Sequence, residues 1–367
     1  MVDLDSSTTL KAHDHYDMMS QVLTFPNDIT GALKLALKVK IPLDYSSVKR
    51  IVYVGMGGSG IPGDFLKILL TDKLRVPLAV IKDYTLPPYV DSDTLVLAVS
   101  YSGTTEETIY AYKQARQLDA KIFGVTSGAQ LLALLQDDNI AHVVVPSGRT
   151  TRASFGWLLF TLLGMLQRIG LTPDMSLEIN ETKKKLTDQI SIYGPEVSAS
   201  RNSAKTTALA LLNKIPVICG TRDNTDVIAL RWRQQLNENC KVFAQNEYLP
   251  EANHNSLEAL ATTVVRGFSP VTVFLRDLVG ESYKMRDRIE ATKEFLQKQG
   301  IEVLEFVSNS PFLLTRLLTL SYIGDFVSLY LAAALGVDPT SLEMISKFKE
   351  MLKKNRDSQH TSSPSRF

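Results

Sequence analysis

Cysteine is almost missing from this sequence: 367 residues contain two, Cys219 and Cys240. Two distant thiols exclude a disulfide framework and a thiolate zinc site. Histidine offers little more. The five (His13, His15, His142, His254 and His360) are scattered, with no His-x-x-x-His pair, so a metal site is not expected. An excess of charge is lacking as well. Forty basic residues against 39 acidic ones leave a formal charge of +1, which offers neither a nucleic-acid surface nor a polybasic membrane patch. The stretch Met1 to Leu10 is polar and acidic and has no signal-peptide apolar core. The most lipid-like run, Leu317 to Val337, contains Ser321 and Asp325 and reads as a buried helix, not a membrane span. These absences lead us to expect a cytoplasmic protein without metal or cofactor. What remains is an ordinary globular composition, 44% apolar and 22% charged, in a chain long enough for two cores of domain size.

From residue 50 onward, short Val/Ile-rich runs at 50–54, 77–82, 94–99, 121–125 and 142–145 alternate with helical periodicity at 60–71, 104–118, 128–136 and 152–169. Such alternation predicts a parallel sheet covered on both faces. A connection over 170–195 follows, with a Lys-rich helix and Gly194-Pro195. A second alternating half then places strands at 215–219, 241–245, 271–275 and 301–307, and helices at 197–213, 224–239, 255–265, 283–299 and 310–335. The expected organisation is a helical lead-in (1–45), a first α/β domain (46–170), the connection (171–195), a second α/β domain (196–337), a last helix (338–354) and a disordered polar tail (355–367). The fold class is α/β, with two doubly wound parallel-sheet domains of flavodoxin-like plan.

Two turns about forty residues apart carry the chemistry. One is Gly55-Met56-Gly57-Gly58-Ser59-Gly60 and the other Ser100-Tyr101-Ser102-Gly103-Thr104-Thr105; each ends an apolar strand and opens a helix. Backbone N–H groups, a helix N-terminus and the hydroxyls of Ser59, Ser100, Ser102 and Thr105 would then surround one anion, and phosphate fits best. Gly57 and Gly58 let the backbone approach it closely. Taken singly, each hydroxyl could be a helix cap; taken together, the turns favour phosphate. Gly55-x-Gly57-x-x-Gly60 also matches the dinucleotide fingerprint by letter. Only Asp83 stands where a ribose-binding acid would be needed, so a dehydrogenase is disfavoured.

Other candidates are single residues. Arg149 and Arg152 flank a helix start and are either surface cations or a fixed charge beside a developing oxyanion. Glu238 ends helix 224–239, where Arg231 could simply pair with it. His254 lies in the polar turn Glu251-Ala252-Asn253-His254-Asn255-Ser256, at a strand end of the kind that carries ligands. Lys349 shares a helical stripe with Leu342, Ile345 and Leu352, whereas Lys347 falls on the opposite face. An inward lysine either snorkels or points into a site.

Together these residues resemble the sugar isomerase (SIS) superfamily and, within it, the bifunctional phosphoglucose/phosphomannose isomerases, over roughly 45–354. The two turns, the second extending to Glu106-Glu107-Thr108, resemble the phosphate loops of SIS domains. Leu236-Asn237-Glu238-Asn239, Pro250-Glu251-Ala252-Asn253-His254-Asn255 and Asp338-Pro339 with Ile345-Ser346-Lys347-Phe348-Lys349 resemble the isomerase-specific segments. The resemblance implies that Ser59, Ser100, Ser102 and Thr105 hold the 6-phosphate and that Arg152 steadies an enediolate. It further implies that Glu238 moves a proton between C1 and C2, that His254, donated by the partner of a homodimer, opens the sugar ring, and that Lys349 stands near the ring oxygen. This chain departs from the family in having Phe348 for Leu and two lysines; helical position selects Lys349.

The implied reaction interconverts glucose, fructose and mannose 6-phosphates within carbohydrate metabolism (glycolysis and gluconeogenesis), with no metal. Two alternatives keep the phosphate turns. A glucosamine-6-phosphate synthase-type isomerase would bring a glutaminase domain with a cysteine nucleophile, and no cysteine lies near residue 1. A non-catalytic sugar-phosphate sensor would not need Glu238, His254 or Lys349, and a DNA-binding regulator would add a basic helix-turn-helix that residues 1–45 lack.

Overall fold

A computed structural model describes residues 2–362. The lead-in forms α1 (Ser7–Lys11), α2 (Met18–Leu23) and α3 (Phe25–Lys38). The first alternating half gives strands β1 (Arg50–Val54), β2 (Leu78–Ile81), β3 (Thr94–Ser100), β4 (Lys121–Thr126) and β5 (His142–Val144), with helices α4 (Gly57–Leu69), α5 (Glu106–Gln117), α6 (Ala129–Asp137) and α7 (Phe155–Arg168). After α8 (Ser176–Tyr193) and α9 (Ser203–Leu211) come β6 (Ile215–Thr221), α10 (Asp226–Cys240), β7 (Gln245–Leu249), α11 (Ser256–Thr263), β8 (Pro270–Asp277), α12 (Tyr283–Lys298), β9 (Glu302–Ser308), α13 (Leu313–Leu335) and α14 (Glu343–Ser362).

Both sheets are parallel throughout. Their orders are β2-β1-β3-β4-β5 and β7-β6-β8-β9, as strand–helix alternation requires. Every residue of β3 and of β8 is buried, because central strands of a covered sheet hide both faces. Alternate residues of β1 and β3 then serve different cores. Ile51, Tyr53, Leu95 and Leu97 face a large cluster, while Val52, Val54, Val96 and Ala98 face a smaller outer one. The large cluster also contains Ile218, Trp232, Val271 and Phe326 from the second half. The two α/β units thus share one large interior, flanked by a smaller outer layer on each.

Helix α13 lies in that interior. It is long and apolar enough to cross a membrane, yet its residues from Leu314 to Ala332 are buried but for Thr319. Gly324 lets the indole of Trp232 lie against the helix: a Cβ there would sit 2.3 Å from Trp232 Nε1, which donates to the Leu320 carbonyl at 2.9 Å. The sides of α10 and α13 are joined in this way.

Two expectations are corrected. The strand expected at 241–245 is Gln245–Leu249. Lys241 takes a left-handed conformation (φ 58°) that ends α10, and the apolar letters Val242 to Ala244 are consumed in closing the helix, with Ala244 N–H bonding Asn237 Oδ1 at 3.0 Å. The last helix also runs beyond the expected end at 354, to Ser362; positions 363–367 of the expected tail lie outside the described residues.

Candidate active site

The two small-residue turns stand side by side at the carboxyl ends of neighbouring strands β1 and β3. Ser59 Oγ accepts the Tyr101 N–H at 2.9 Å, joining one turn to the other. Ser100 Oγ accepts the Gly103 N–H at 3.1 Å and lies 2.8 Å from Thr105 Oγ1. Ser102 Oγ accepts from Thr104 N–H and Oγ1 at 3.3 and 3.1 Å. These hydroxyls therefore shape the turns; neither α4 nor α5 carries a side-chain cap hydrogen bond. The N-termini of α4 and α5 both begin at this edge of the sheet without side-chain caps, which leaves backbone N–H groups and positive dipole ends available to an anion. Gly57 adopts φ +49°, a conformation that glycine takes at no steric cost.

Gly58 ties the first of these turns to Arg152. A Cβ at Gly58 would lie 2.9 Å from Thr151 Cγ2 and 3.2 Å from Arg152 N. Gly58→Val is expected to push the turn and Arg152 apart and to lower kcat/KM about a hundredfold, the cost of an ångström-scale misplacement; steady-state kinetics measure it.

Arg152 opens a short 3-10 turn (Arg152–Ser154) before α7. Its guanidinium leaves the first half of the chain and lands on the second. Nη1 lies 3.0 Å from Glu238 Oε2, Nε donates to Asn239 Oδ1 at 2.5 Å, and Nη2 donates to the carbonyls of Pro339 and Thr340. Asn239 is held in turn by Ser328 Oγ at 2.8 Å. Burial pulls the Arg152 pKa below its ordinary value, and the Glu238 carboxylate opposes that shift. Glu238 is three-quarters covered, with a 25% exposed side chain. Lys241, one turn on, donates to the carbonyls of Glu238 and Asp338 at 2.8 and 2.6 Å; burial pulls its pKa down, as does nearby Arg152. A buried cation fixed by four acceptors thus stands beside one partly open carboxylate and against the turn that carries Gly58.

The structure gathers Gly57, Gly58, Ser59, Ser100, Ser102, Thr105, Arg152 and Glu238, and leaves His254 and Lys349 outside. Helix α10 runs back against the strands, so Glu238 lies where β7 begins. His254 lies beyond the other end of this five-residue strand, roughly 16 Å of strand away. It is exposed. Lys349 is a correction: the stripe expected to point inward does not. Residues 343–355 of α14 are exposed, with Ile345 at 44%, Phe348 at 58% and Leu352 at 37%. Helical spacing revealed an amphipathic face, but within one chain that face meets no core. Two arginines find other partners than the sequence offered. Arg149 binds Asp28 at 2.5 Å, and Arg231 binds Asp325 at 2.9 Å instead of Glu238. Asn239 and Lys241 were not singled out from the sequence, although both adjoin Glu238 and their polarity at a helix end was the available signal. Among the described residues, no three His, Cys, Asp or Glu side chains gather as metal ligands.

Two parallel α/β units with paired hydroxyl turns define a protein of the SIS class, and a SIS domain model matches residues 44–153. A model of the bacterial phosphoglucose isomerase C-terminal SIS domain matches residues 200–352. A bifunctional phosphoglucose/phosphomannose isomerase from Caldicellulosiruptor bescii is 36% identical over 93% of this chain and 100% of its own length. The chain belongs to the bifunctional phosphoglucose/phosphomannose isomerase family. Another relative, a D-glucosamine-6-phosphate 4-epimerase from Sulfolobus acidocaldarius, is 30% identical over 83% of this chain and 89% of its own length. A hypothetical protein of known structure from Thermus thermophilus superposes with a TM-score of 0.74 at 14% identity, covering 95% of this chain and 92% of that one, and so shares the fold.

Proposed function

We propose that this chain interconverts glucose 6-phosphate and fructose 6-phosphate, and mannose 6-phosphate as well, through a cis-enediolate. The observation that carries the reading is the pairing of Glu238 with Arg152 beside the phosphate turns. The turns anchor the 6-phosphate through N–H groups and hydroxyls, which places the far end of the open sugar against Glu238. Glu238 takes the proton from C1 of the ketose and returns it to C2. Arg152 stabilises the charge that builds on the enediolate oxygens, and because it is already fixed, no reorganisation is needed as that charge develops. Delivery to one face of C2 gives glucose 6-phosphate and to the other face mannose 6-phosphate. The 4-epimerase relative makes a second outcome concrete: the same clamp with chemistry moved along the sugar. Fructose 6-phosphate as substrate, followed by separation of the hexose phosphates, distinguishes them. Glucose and mannose 6-phosphates are expected, and a product altered at C4 would replace this reading by the other.

The same proposal includes a cytoplasmic, metal-independent enzyme that works as a homodimer. EDTA is expected to leave turnover unchanged; loss of turnover restored by zinc would contradict this. The dimer supplies what one chain lacks: His254 for ring opening from the partner, and a surface for α14, whose exposed apolar stripe has no core of its own. Mixing Glu238→Gln with His254→Ala subunits tests the arrangement. Free exchange should restore about a quarter of wild-type activity, because each mixed dimer then holds one intact site. A histidine acting within its own subunit gives no restoration.

A further inference from the structure

Arg231 and Asp325 form a buried ion pair that none of the steps above uses. Both side chains are at most 5% exposed. Arg231 Nη2 lies 2.9 Å from each oxygen of Asp325, and Gln235 Nε2 donates to Asp325 Oδ1 at 2.6 Å. Desolvating two charges inside an apolar helix pair is expensive, and apolar residues of similar volume are often as good or better for stability. Holding α10 on α13 does not require it, since Trp232 already packs there.

The other side of Arg231 is what distinguishes it. Its guanidinium lies over the Phe155 ring, 4.3 Å from the centroid, and Nη2 is 3.5 Å from the main-chain carbonyl of Arg152. Arg152 and Phe155 belong to the turn and helix start that deliver the catalytic cation. Arg231 itself sits on α10, the helix that delivers Glu238. One rigid group therefore touches both carriers of the working pair, across the seam between the two sheets. A lysine could meet Asp325 but could not also present a flat face to the ring.

We propose that Arg231, held by Asp325 and Gln235, is a positioning residue that sets Arg152 against Glu238 across the two halves of the chain. The inference rests on the reading of that pair as catalytic. Three variants test it: Arg231→Met, Arg231→Lys and the double variant Arg231→Met/Asp325→Asn. In the first, an unpaired buried carboxylate lowers stability. The double variant removes that charge and keeps an acceptor for Gln235, so its urea midpoint should recover most of the loss. Its kcat should nevertheless stay at least about tenfold below wild type, with KM and inorganic phosphate affinity within about twofold, because the phosphate turns are untouched. Recovery of kcat together with the midpoint would overturn the proposal and leave Arg231 a purely structural residue. Arg231→Lys decides the matter if the double variant does not fold: it should fold and lose kcat, and wild-type kcat would overturn the proposal. A crystal structure of the folded variant reads the positioning without any turnover. The Arg152–Glu238 separation should exceed its present 3.0 Å, and an unchanged separation rejects the inference even if the isomerase reading stands. A displaced Arg152 in a protein whose wild type has no isomerase activity would instead reject the functional reading alone.

Discussion

Glu238→Gln is expected to lower kcat roughly 10³- to 10⁴-fold, the scale of a lost general base, while leaving sugar-phosphate affinity near wild type. The substitution is close to isosteric. A glutamine oxygen can still accept from Arg152 Nη1, which lies 3.0 Å from Glu238 Oε2, so the cation keeps its place. What disappears is the capacity to take up a proton from C1 and deliver it at C2. In the proposed reading the binding energy comes chiefly from the two turns on the other half of the chain, whose hydroxyls Ser59 and Ser100 are held by partners there and not by Glu238. Steady-state kinetics and calorimetry with the same sugar phosphate separate the two quantities. Turnover within tenfold of wild type would remove Glu238 from the chemistry.

Arg152→Lys carries the second large effect, and it is a double one. A lysine retains the positive charge but replaces a planar fork by a single point donor. Arg152 now serves Asn239, Glu238, Pro339 and Thr340 at once. No ammonium reaches all of them, so a buried acceptor is left unpaired at a cost of about 1–3 kcal/mol. Under the proposed mechanism, loss of the fork's fixed donor at the enediolate should reduce kcat about 10²- to 10³-fold, as for removal of one oxyanion donor. Thermal unfolding and kinetics should therefore fall together in this variant, whereas Glu238→Gln changes kinetics alone. A lysine variant with wild-type turnover would show that the fork is dispensable.

The contrast explains what was legible in the sequence. The paired small-residue turns are local: strand, small residues, hydroxyls and helix follow one another within a dozen positions, and the order of β1 beside β3 brings them together. The resemblance to a known family then supplied roles for Arg152 and Glu238. Their direct contact was not legible, because the two are 86 residues apart and meet only when the two halves share an interior. Arg231 misled for the same reason. Its spacing from Glu238 suggested a pair on one helix, but a carboxylate from α13, 94 residues further along the chain, lies closer. Lys349 shows the limit of periodicity. A stripe of apolar letters tells which face of a helix is apolar, not whether the same chain provides its cover. The strand expected at 241–245 failed because apolar letters after a helix serve its termination as readily as a strand.

The most direct measurement is incubation of the protein with fructose 6-phosphate in deuterated water, with the products read by NMR. A single carboxylate working on an enediolate exchanges part of the proton it carries with solvent, so both glucose 6-phosphate and mannose 6-phosphate are expected, a fraction of each with deuterium at C2 and the phosphate ester intact, and this conversion is expected to be lost in Glu238→Gln. Glucose 6-phosphate formed without mannose 6-phosphate, or no conversion at all by a protein that still binds the sugar phosphate, would contradict the account.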